Sequence, residues 1–253
     1  MQAIILAAGR GSRLAEYNPE GRPKCLMEFG GRSLLSRHLE LLQQLGVHRV
    51  DLVVGYEADQ IIDHVAHLIV RPEVAFHFNP RYQQGSVISL WAAQDSLLQG
   101  SDTLLMDADV LYHPGILKRL VDSDKVNCYL LDQDFIPGDE PVKIAVRDGL
   151  MVDFRKRLDA SLEYEFLGES VGFFRFSASM SVKLVEECAR FETEGLADAP
   201  HEEALRNLLL QDPAAFGFED VSGLPWIEID FPEDVVRANS QIVPAIRSDY
   251  PDF

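Results

Sequence analysis

The first 26 residues, Met1 to Leu26, read MQAIILAAGRGSRLAEYNPEGRPKCL and decide the fold class. The run AIILAA is apolar throughout, which is typical of a parallel strand that is covered on both faces. Small residues follow it at once, and in open α/β sheets ligands bind beyond the carboxyl ends of the strands. Arg13 and Lys24 come next, in a chain with 41 acidic and 23 basic residues. The stretch predicts a buried first strand that ends in a site for a small anion.

The order of elements behind this strand predicts an α/β fold. Strand and helix patterns alternate as far as residue 125, which indicates a doubly wound, mostly parallel, Rossmann-like sheet with right-handed crossovers. The later strands VNCYLLD, VKIAV, LMVDF and VGFFRF have little helix between them, and Arg147-Asp148-Gly149 looks like a hairpin turn. We expect residues 1–253 to form a single domain whose second half adds a small β-rich substrate lobe.

Composition restricts the partners. The formal net charge of -18 argues against nucleic acids and anionic membranes. Residues 1–37 are an exception, because they contain six basic and three acidic side chains, and a local cationic patch suggests a small anionic ligand. Cys25, Cys128 and Cys188 suit neither a disulfide framework nor a zinc site. With no signal-peptide pattern and no membrane-spanning apolar run, we expect a cytoplasmic protein.

The loop LAAGRGSRL has the residue types of a phosphate-binding turn. Gly9 and Gly11 let backbone N–H groups approach phosphates closely, and Arg13 offers a planar fork of donors. The spacing matches neither the P-loop nor the dinucleotide fingerprint. Alone, the loop is as consistent with a tight glycine turn as with a phosphate site. Lys24, a compact cation that directly follows a proline, favours the phosphate site.

Two acidic motifs stand at the ends of predicted strands. MDADVL places Asp107 and Asp109 at the carboxyl edge of the sheet, where hard oxygen ligands suit Mg²⁺. Asp230 ends the strand WIEID, and Glu228 lies two residues earlier on the same strand face. D-x-D motifs also occur in glycosyltransferases, and strand-end aspartates often cap helices. We favour a metal role for Asp109 and Asp230 and keep the capping role of Asp230 as the alternative.

LAAGRGSRL followed by RPKCL resembles the signature of nucleotidyltransferases that build nucleoside-diphosphate sugars and alcohols. Within that superfamily the chain is most similar to the bacterial phosphocholine cytidylyltransferase group, which is close to the inositol-phosphate and aminoethylphosphonate cytidylyltransferases. The resemblance extends over most of the chain through FNPRYQQGSVISL, LLMDADVL, PVKIAVRDG, FRKRL, ESVGFFRFS and PWIEIDFPEDVVRA.

The resemblance implies a GT-A-like nucleotidyltransferase fold and Mg²⁺-dependent transfer of CMP from CTP to a phosphorylated alcohol or phosphonate such as phosphocholine, with release of pyrophosphate. It implies that Asp109 and Asp230 hold the metal and that Lys24, Arg13 and Lys143 are catalytic. Residues 1–125 would form the nucleotide-binding half and residues 126–253 the acceptor-binding half. The implied nucleotide contacts are Leu6, Ala7, Ala8, Gly9, Gly11, Ser12, Arg13, Lys24, Gly85, Ser86 and Asp107. The implied acceptor contacts are Lys143, Lys156, Glu169, Glu202 and Trp226.

The acceptor site is less well defined by the residues themselves. A lysine inside an apolar strand, as at Lys143, needs an anionic partner or a route to water, whereas Lys156 is equally consistent with an ordinary exposed charge. A phosphocholine site would need aromatic and acidic side chains around the quaternary ammonium. Glu169 and Trp226 are the preferred members because they lie in matched motifs, although aromatic residues in strands more often belong to the core.

Alternatives to the cytidylyltransferase remain open from the sequence. Ser86 stands where relatives usually carry Asn, and His201 stands where Tyr is common, so contacts at these two positions are in doubt. Uridine would fit a small pocket nearly as well as cytidine. A sugar-1-phosphate nucleotidyltransferase, a D-x-D glycosyltransferase and a non-catalytic nucleotide-binding regulator are the competing functions. The expected partners are a nucleotide and a phosphorylated small molecule, and the sequence carries no indication of oligomeric state.

Overall fold

The computed structural model describes residues 1–14, 16–18 and 20–251. Its strands are β1 (Gln2–Ala7), β2 (Glu28–Phe29), β3 (Arg32–Ser33), β4 (Arg49–Val54), β5 (Glu73–Phe78), β6 (Thr103–Asp107), β7 (Val110–Tyr112), β8 (Cys128–Asp132), β9 (Lys143–Arg147), β10 (Leu150–Arg155), β11 (Phe166–Phe176), β12 (Gly217–Asp220) and β13 (Trp226–Glu228). Its α-helices are α1 (Leu34–Gln44), α2 (Ala58–His67), α3 (Ser86–Ala92), α4 (Gln94–Leu97), α5 (Pro114–Asp122), α6 (Ala178–Thr193), α7 (His201–Gln211), α8 (Pro232–Arg237) and α9 (Val243–Asp249). Single 3₁₀ turns lie at Ser12–Leu14, Lys24–Leu26 and Pro213–Ala215, and a π-helical turn lies at Ala238–Ile242.

The central sheet confirms the predicted fold class. Within the described residues it has nine strands, in the order β10-β9-β11-β6-β1-β4-β5, with β8 paired to β11 and β12. Strands β6, β1, β4 and β5 are parallel, as the alternation of strands and helices in the first half predicts. The second half adds the antiparallel strands β9, β10 and β11. Because β11 pairs with β6, both halves share one sheet; the division at residues 125 and 126 stays a prediction.

Strand β1 is buried on both faces, which is what its continuous apolar sequence requires. Ala3, Ile4 and Ile5 have no exposed surface. Ile4 packs in the hydrophobic cluster on one side of the sheet, whereas Ala3 and Ile5 pack in the cluster on the other side. Burying one such isoleucine contributes about 1.5–3 kcal/mol. This double burial fixes the position of the loop that leaves β1.

Helix α1 confirms its predicted apolar stripe and anchors the segment before it. Leu35, Leu39 and Leu42 are fully buried. The Ser33 side chain caps the helix by accepting a hydrogen bond from the Ser36 backbone N–H. The helix is also bonded to the segment that precedes it, since the backbone N–H of its first residue donates to the carbonyl of Met27 at 3.1 Å. Helix α1 therefore holds the segment that carries Lys24.

Several local predictions can be compared directly with the structure. The hairpin between β9 and β10 turns at Asp148 and Gly149, which both have positive φ, so the predicted turn is confirmed. The predicted third helix breaks at Ala93 into α3 and α4. Strands β2, β3, β7 and β12, which have two to four residues each, were not predicted, because such short segments seldom carry a periodic pattern. None of the helices in residues 1–14, 16–18 and 20–251 combines the length and apolarity that crossing a bilayer requires.

Candidate active site

A pocket of about 240 Å³ opens at the carboxyl ends of β1 and β6, where the α/β pattern predicts ligand binding. Leu6 of β1 pairs with Asp107 of β6 in the parallel register, so the glycine loop and the D-x-D turn leave the sheet side by side. The pocket wall includes residues 6–9, Lys24, Ser86 and residues 107–109. Residues that are distant in sequence thus meet at one edge of the sheet.

The glycine loop runs directly over Lys24. Gly11 has φ +63, and a Cβ atom built there would lie 3.3 Å from Lys24 Cβ, which is tighter than ordinary packing. The following turn is fixed by a hydrogen bond from Leu14 N–H to the Gly11 carbonyl at 3.1 Å, and Leu14 is buried. Glycine is therefore needed at position 11 both for its backbone conformation and for the close approach of the lysine segment.

Lys24, Asp109 and Asp230 form a compact ion cluster in this pocket. The Lys24 ammonium donates to Asp109 Oδ2 and Asp230 Oδ1, at 2.6 Å in each case. The side chains of Lys24, Asp109 and Asp230 are 15%, 21% and 24% exposed, so solvent screens these charges only in part. Burial alone would lower the pKa of Lys24, but the two carboxylates outweigh it and raise the pKa above its usual value. Lys24 is therefore a fully charged cation held by two acids.

Arg13 lies beside the same cluster but faces solvent. Its Nη1 atom is 3.6 Å from Asp230 Oδ2, and its side chain is 54% exposed. Its guanidinium group lies over the Phe231 ring, 5.0 Å from the ring centroid. Burial tends to raise the pKa of Asp230, but Lys24 and then Arg13 lower it below its usual value. A ligand that enters from solvent can reach the exposed guanidinium.

A short antiparallel ribbon brings Asp109 and Asp230 together. Strand β7 pairs with β13 so that Val110 lies opposite Glu228. The ribbon continues by one hydrogen bond, from Ile229 N–H to the Asp109 carbonyl at 3.0 Å. Asp109 precedes β7 and Asp230 follows β13, so this pairing sets both carboxylates on the same side of the pocket.

The carboxylates at the end of this ribbon fit a divalent metal ion. Oxygen atoms of Asp109, Glu228 and Asp230 lie within 4.8 Å of one another. Asp109 Oδ1 is buried, and no described residue donates a hydrogen bond to it. Such an oxygen-only set suits Mg²⁺, which typically takes one or two carboxylates together with substrate phosphate and water. The metal roles of Asp109 and Asp230 stay predictions.

Glu228 was not among the predicted ligands, although its E-x-D spacing to Asp230 is a usable signal because alternate residues share a strand face. Its carboxyl group opens onto the cleft, whose walls nevertheless desolvate it. That desolvation, followed by repulsion from Asp109 and Asp230, raises the pKa of Glu228 well above its usual range. The pKa of Asp107 is also well raised, first by burial and then by repulsion from Asp109 and Glu202. The pocket therefore concentrates acids that attract a cation.

The first turns of α3 and α7 meet at the other end of the pocket. Ser86 Oγ accepts a hydrogen bond from the His201 backbone N–H at 2.8 Å and contacts His201 Nδ1 at 3.0 Å. Gly85 lies against residues 197–199, and its backbone N–H donates to the Ala197 carbonyl at 3.0 Å. Ser86 and His201 are thus direct partners of each other.

Gly85→Ala is expected to destabilise the protein and to disturb this contact. A Cβ atom at position 85 would collide with the carbonyl oxygen of Ala199, a backbone atom that cannot turn aside. We expect a loss of about 1–3 kcal/mol in the free energy of unfolding, measured by urea titration. Gly138→Ala is the matched control, because its Cβ atom would make an ordinary contact at 3.7 Å. Equal urea midpoints for both variants would contradict the expected clash.

The two predicted acceptor lysines have different surroundings. Lys143 Nζ donates to the carbonyls of Gly138 at 2.7 Å and Lys156 at 2.8 Å, and to a third carbonyl in the loop before β9. Lys156 Nζ lies 3.1 Å from Glu140 Oε2, and Arg13 lies 4.0 Å from the same oxygen. Lys143 thus holds the loop backbone, whereas Lys156 and Arg13 share one exposed carboxylate. The catalytic role of Lys143 stays a prediction.

A second pocket, of about 250 Å³, adjoins the ion cluster and is strongly acidic. Trp226 forms part of its wall, and its indole N–H donates to Asp132 Oδ2 at 2.8 Å. Among the described residues that line it, Arg237 is the only cation. Burial, followed by repulsion from Asp132, raises the pKa of Glu169 to about 7. Its acidic members are Asp132, Asp134, Glu140, Glu169, Glu228, Asp230 and Asp234.

The predicted site residues divide between these two pockets. The first holds most of the predicted nucleotide contacts, and the second holds Glu169 and Trp226. Glu202, a predicted acceptor residue, lines the first pocket instead. Lys143 and Lys156 lie at the loop that borders the second pocket. The structure therefore brings Lys24, Asp109 and Asp230 into direct contact and sets the other predicted residues around them.

A buried Ser–His–Asp cluster elsewhere in the sheet has a different arrangement from a hydrolase triad. Ser96 Oγ and Asp51 Oδ1 both contact His77 Nε2, at 3.0 Å and 2.8 Å. In a triad the serine and the acid use different ring nitrogens. Ser96 Oγ also donates directly to Asp51 at 2.8 Å. The cluster satisfies the buried carboxylate of Asp51, whose side chain has no exposed surface.

Comparison with known proteins identifies one matching family model. The model of the MobA-like NTP transferase domain matches residues 3–142. CTP:phosphoglutamine cytidylyltransferase of Campylobacter jejuni is 23% identical, over 93% of this chain and 98% of that protein. CMP-5'-(3-aminopropyl)phosphonate synthase of Streptomyces rubellomurinus is 26% identical over 96% of this chain, but the match covers only 39% of its length.

The fold has solved counterparts. The inositol-1-phosphate CTP transferase from T. maritima superposes with a TM-score of 0.76 at 22% sequence identity, covering 97% of this chain and 94% of that one. At this level of identity the likeness concerns the fold. It confirms that the mixed sheet with its flanking helices is the fold of that solved structure.

Proposed function

The chain belongs to the MobA-like NTP transferase family, and from this premise we propose that it is a Mg²⁺-dependent cytidylyltransferase. It transfers CMP from CTP to a phosphate or phosphonate group of a small molecule that also carries an amine, and it releases pyrophosphate. The observation that carries the proposal is the Lys24 ammonium, held 2.6 Å from both Asp109 and Asp230 below a glycine loop. The Lys24 ammonium, the two carboxylates and the glycine loop are the groups that phosphoryl transfer needs.

The cationic residues act on the triphosphate. Backbone N–H groups of the glycine loop and the exposed Arg13 guanidinium bind phosphate oxygens of the departing pyrophosphate. Lys24 neutralises the negative charge that grows as the acceptor oxygen attacks the α-phosphorus. A new P–O bond forms there, and the bond between the α-phosphorus and the bridging oxygen breaks. Since the acceptor oxygen is already anionic near pH 7, the chain needs no general base.

Asp109 and Asp230, with Glu228 beside them, would hold the metal. A bound Mg²⁺ supplies charge neutralisation and orientation of phosphate oxygens at this place. The protein prepares the position by fixing both aspartates through the pairing of β7 with β13. Rigid placement of this kind lets charges act on the reaction without reorganisation.

The acidic second pocket supports an amine on the acceptor. Its seven carboxyl groups face a single arginine among the described lining residues, so a cationic group is attracted there and a neutral polyol is not. Trp226 adds an aromatic face whose orientation is fixed by Asp132. The relatives from Campylobacter jejuni and Streptomyces rubellomurinus are named for amine- or amide-bearing acceptors, phosphoglutamine and aminopropylphosphonate. We therefore favour phosphocholine-like or aminoalkylphosphonate-like acceptors over the sugar-1-phosphates of the runner-up function.

Glu169→Gln is expected to weaken acceptor binding in a pH-dependent way. The groups facing Glu169 are Asp132, Lys143, Asp234 and Arg237, and its pKa is raised to about 7. Its carboxylate form, which attracts an ammonium group, therefore becomes dominant as pH rises through 7. The KM for phosphocholine should fall between pH 6.5 and 8.5 in the unmodified protein. In the variant it should be roughly tenfold higher at pH 8.5 and nearly constant with pH, as loss of one charged contact predicts.

Two controls isolate this effect. Glycerol phosphate has no cation, so its KM should not respond to the substitution. Glu163→Gln removes a carboxylate whose side chain is 87% exposed, and it should leave the KM for phosphocholine unchanged. Parallel pH profiles for the unmodified protein and the Glu169 variant would contradict the assigned role of Glu169.

Pyrophosphate release with Mg²⁺ is the experiment that tests the function. CTP, UTP, GTP and ATP are each combined with phosphocholine, phosphoethanolamine, aminoethylphosphonate, inositol phosphate, glycerol phosphate and glucose-1-phosphate. We expect release with CTP and an amine-bearing acceptor. Release only with glucose-1-phosphate would favour the sugar-1-phosphate enzyme, and nucleotide binding without release from any pair would contradict the proposal.

A further inference from the structure

His38 is a fully buried histidine that the proposed reaction leaves without a role. It lies in the middle of α1 and has no exposed surface. Its Nδ1 atom is 3.1 Å from the Tyr112 hydroxyl, and its Nε2 atom is 3.2 Å from the Ala108 carbonyl oxygen. The ring is stacked on Tyr112 and meets the Phe173 ring edge-on. Both nitrogen atoms thus have defined partners.

These contacts determine where the protons are. A carbonyl oxygen only accepts hydrogen bonds, so the bond to Ala108 requires a proton on Nε2. Burial lowers the pKa of His38 to about 4, against the opposing effect of that bond, so the ring is neutral and Nδ1 is an acceptor. The Tyr112 hydroxyl must then donate to Nδ1. The result is a one-way chain of donors from Tyr112 through His38 to Ala108.

The last acceptor in this series of hydrogen bonds, the Ala108 carbonyl, belongs to the active site. Ala108 lies between Asp107 and Asp109, so its carbonyl is part of the turn that orients both carboxylates. Tyr112 ends β7, the strand that follows the turn. His38 therefore bonds the centre of the turn through the Ala108 carbonyl, and it bonds the last residue of β7 through the Tyr112 hydroxyl. It does so from α1, the helix that also receives the Lys24 segment through Met27.

We propose that His38 is a positioning residue that holds the Asp107–Asp109 turn, through its bond to the Ala108 carbonyl, in the orientation that points Asp109 at Lys24 and a divalent metal. The inference rests on the proposed function for its link to catalysis, but it concerns the geometry of the carboxylates themselves. Groups that orient ligands in this way typically affect metal affinity or activity by about 10–100-fold.

Mn²⁺ binding, followed by electron paramagnetic resonance, tests the proposal without depending on turnover. His38→Leu keeps the volume but removes both hydrogen bonds, and it should weaken Mn²⁺ binding by about tenfold. His38→Gln retains an N–H donor and should recover most of the affinity. Leu42→Val is the matched control, because it perturbs another fully buried residue of α1 and should leave Mn²⁺ affinity unchanged. Melting temperatures of all variants separate positioning from loss of stability.

A second measurement does not require His38 to be replaced in the sample under study. The ¹⁵N spectrum of the histidine rings should show His38 neutral and protonated on Nε2 between pH 6 and 8, with the signal assigned by its loss in His38→Gln. Tyr112→Phe keeps the stacked ring and removes only the hydroxyl, so the bond to Ala108 should keep the proton on Nε2 and Mn²⁺ affinity should stay close to that of the unmodified protein. A charged ring, or protonation on Nδ1, would overturn the assignment.

The outcomes distinguish this inference from the proposed function. If His38→Leu binds Mn²⁺ as tightly as the unmodified protein while pyrophosphate release is intact, the positioning role is wrong and the function stands. If His38→Leu weakens Mn²⁺ binding but the unmodified protein releases pyrophosphate with no substrate pair, the positioning role stands and the function is wrong.

Discussion

Lys24→Met should lower the turnover number for pyrophosphate release by about 100-fold or more, the loss typical of removing one donor that stabilises transition-state charge. Methionine keeps the aliphatic stem that packs beneath Gly11, so the glycine loop should remain in place. What disappears is the ammonium group between Asp109 and Asp230. The measurement is the rate of pyrophosphate release at saturating CTP and acceptor.

Metal binding gives this prediction a second readout. Lys24 occupies the carboxylate oxygens of the two predicted metal ligands, so its removal should leave Mn²⁺ binding as tight as before or tighter. Lys183→Met is the matched control, because Lys183 is an exposed lysine on α6, away from the pocket, and should keep full activity. A Lys24→Met enzyme with normal turnover would remove the observation on which the function rests.

Asp109→Asn should also reduce turnover by about 100-fold or more, but through loss of the metal ligand. Asparagine preserves the shape of the side chain and removes its charge, so Mn²⁺ affinity should fall together with activity. The Lys24 ammonium would keep Asp230 as a partner, and the fold should change little. Mn²⁺ titration and pyrophosphate release on the same sample test both parts.

Asp124→Asn provides the control for this charge change. Its side chain is 92% exposed and pairs with Lys125 at 3.2 Å on the surface, so activity and metal affinity should stay unchanged. Retained Mn²⁺ affinity in Asp109→Asn, with activity lost, would assign Asp109 to holding Lys24 and would leave the metal to other carboxylates. Together, Lys24→Met and Asp109→Asn distinguish the effect of losing the Lys24 ammonium group from the effect of losing the bound metal ion.

Several parts of the fold could be predicted from the sequence because their signals are local. The apolar β1, the leucine stripe of α1 and the Asp148–Gly149 turn each follow from neighbouring residues alone. The same holds for the glycine loop, because its glycines indicate that another group packs closely against the backbone there. Strands β7 and β12 could not be predicted, since they owe their existence to pairing partners far along the chain.

By itself, the sequence determined which residues can take part in the chemistry. Arg13 and Lys24 follow β1 along the chain, and the carboxylates of the D-x-D and E-x-D motifs stand at the ends of strands. Only the tertiary structure decided which of them meet. The pairing of β7 with β13 brings Asp230 to Asp109, and the approach of Gly11 sets Lys24 between them. The separation of two pockets and the bond from His38 to Ala108 were decided in the same way. The physical reason is that contacts between distant segments depend on strand order and register across the sheet, which no local pattern records.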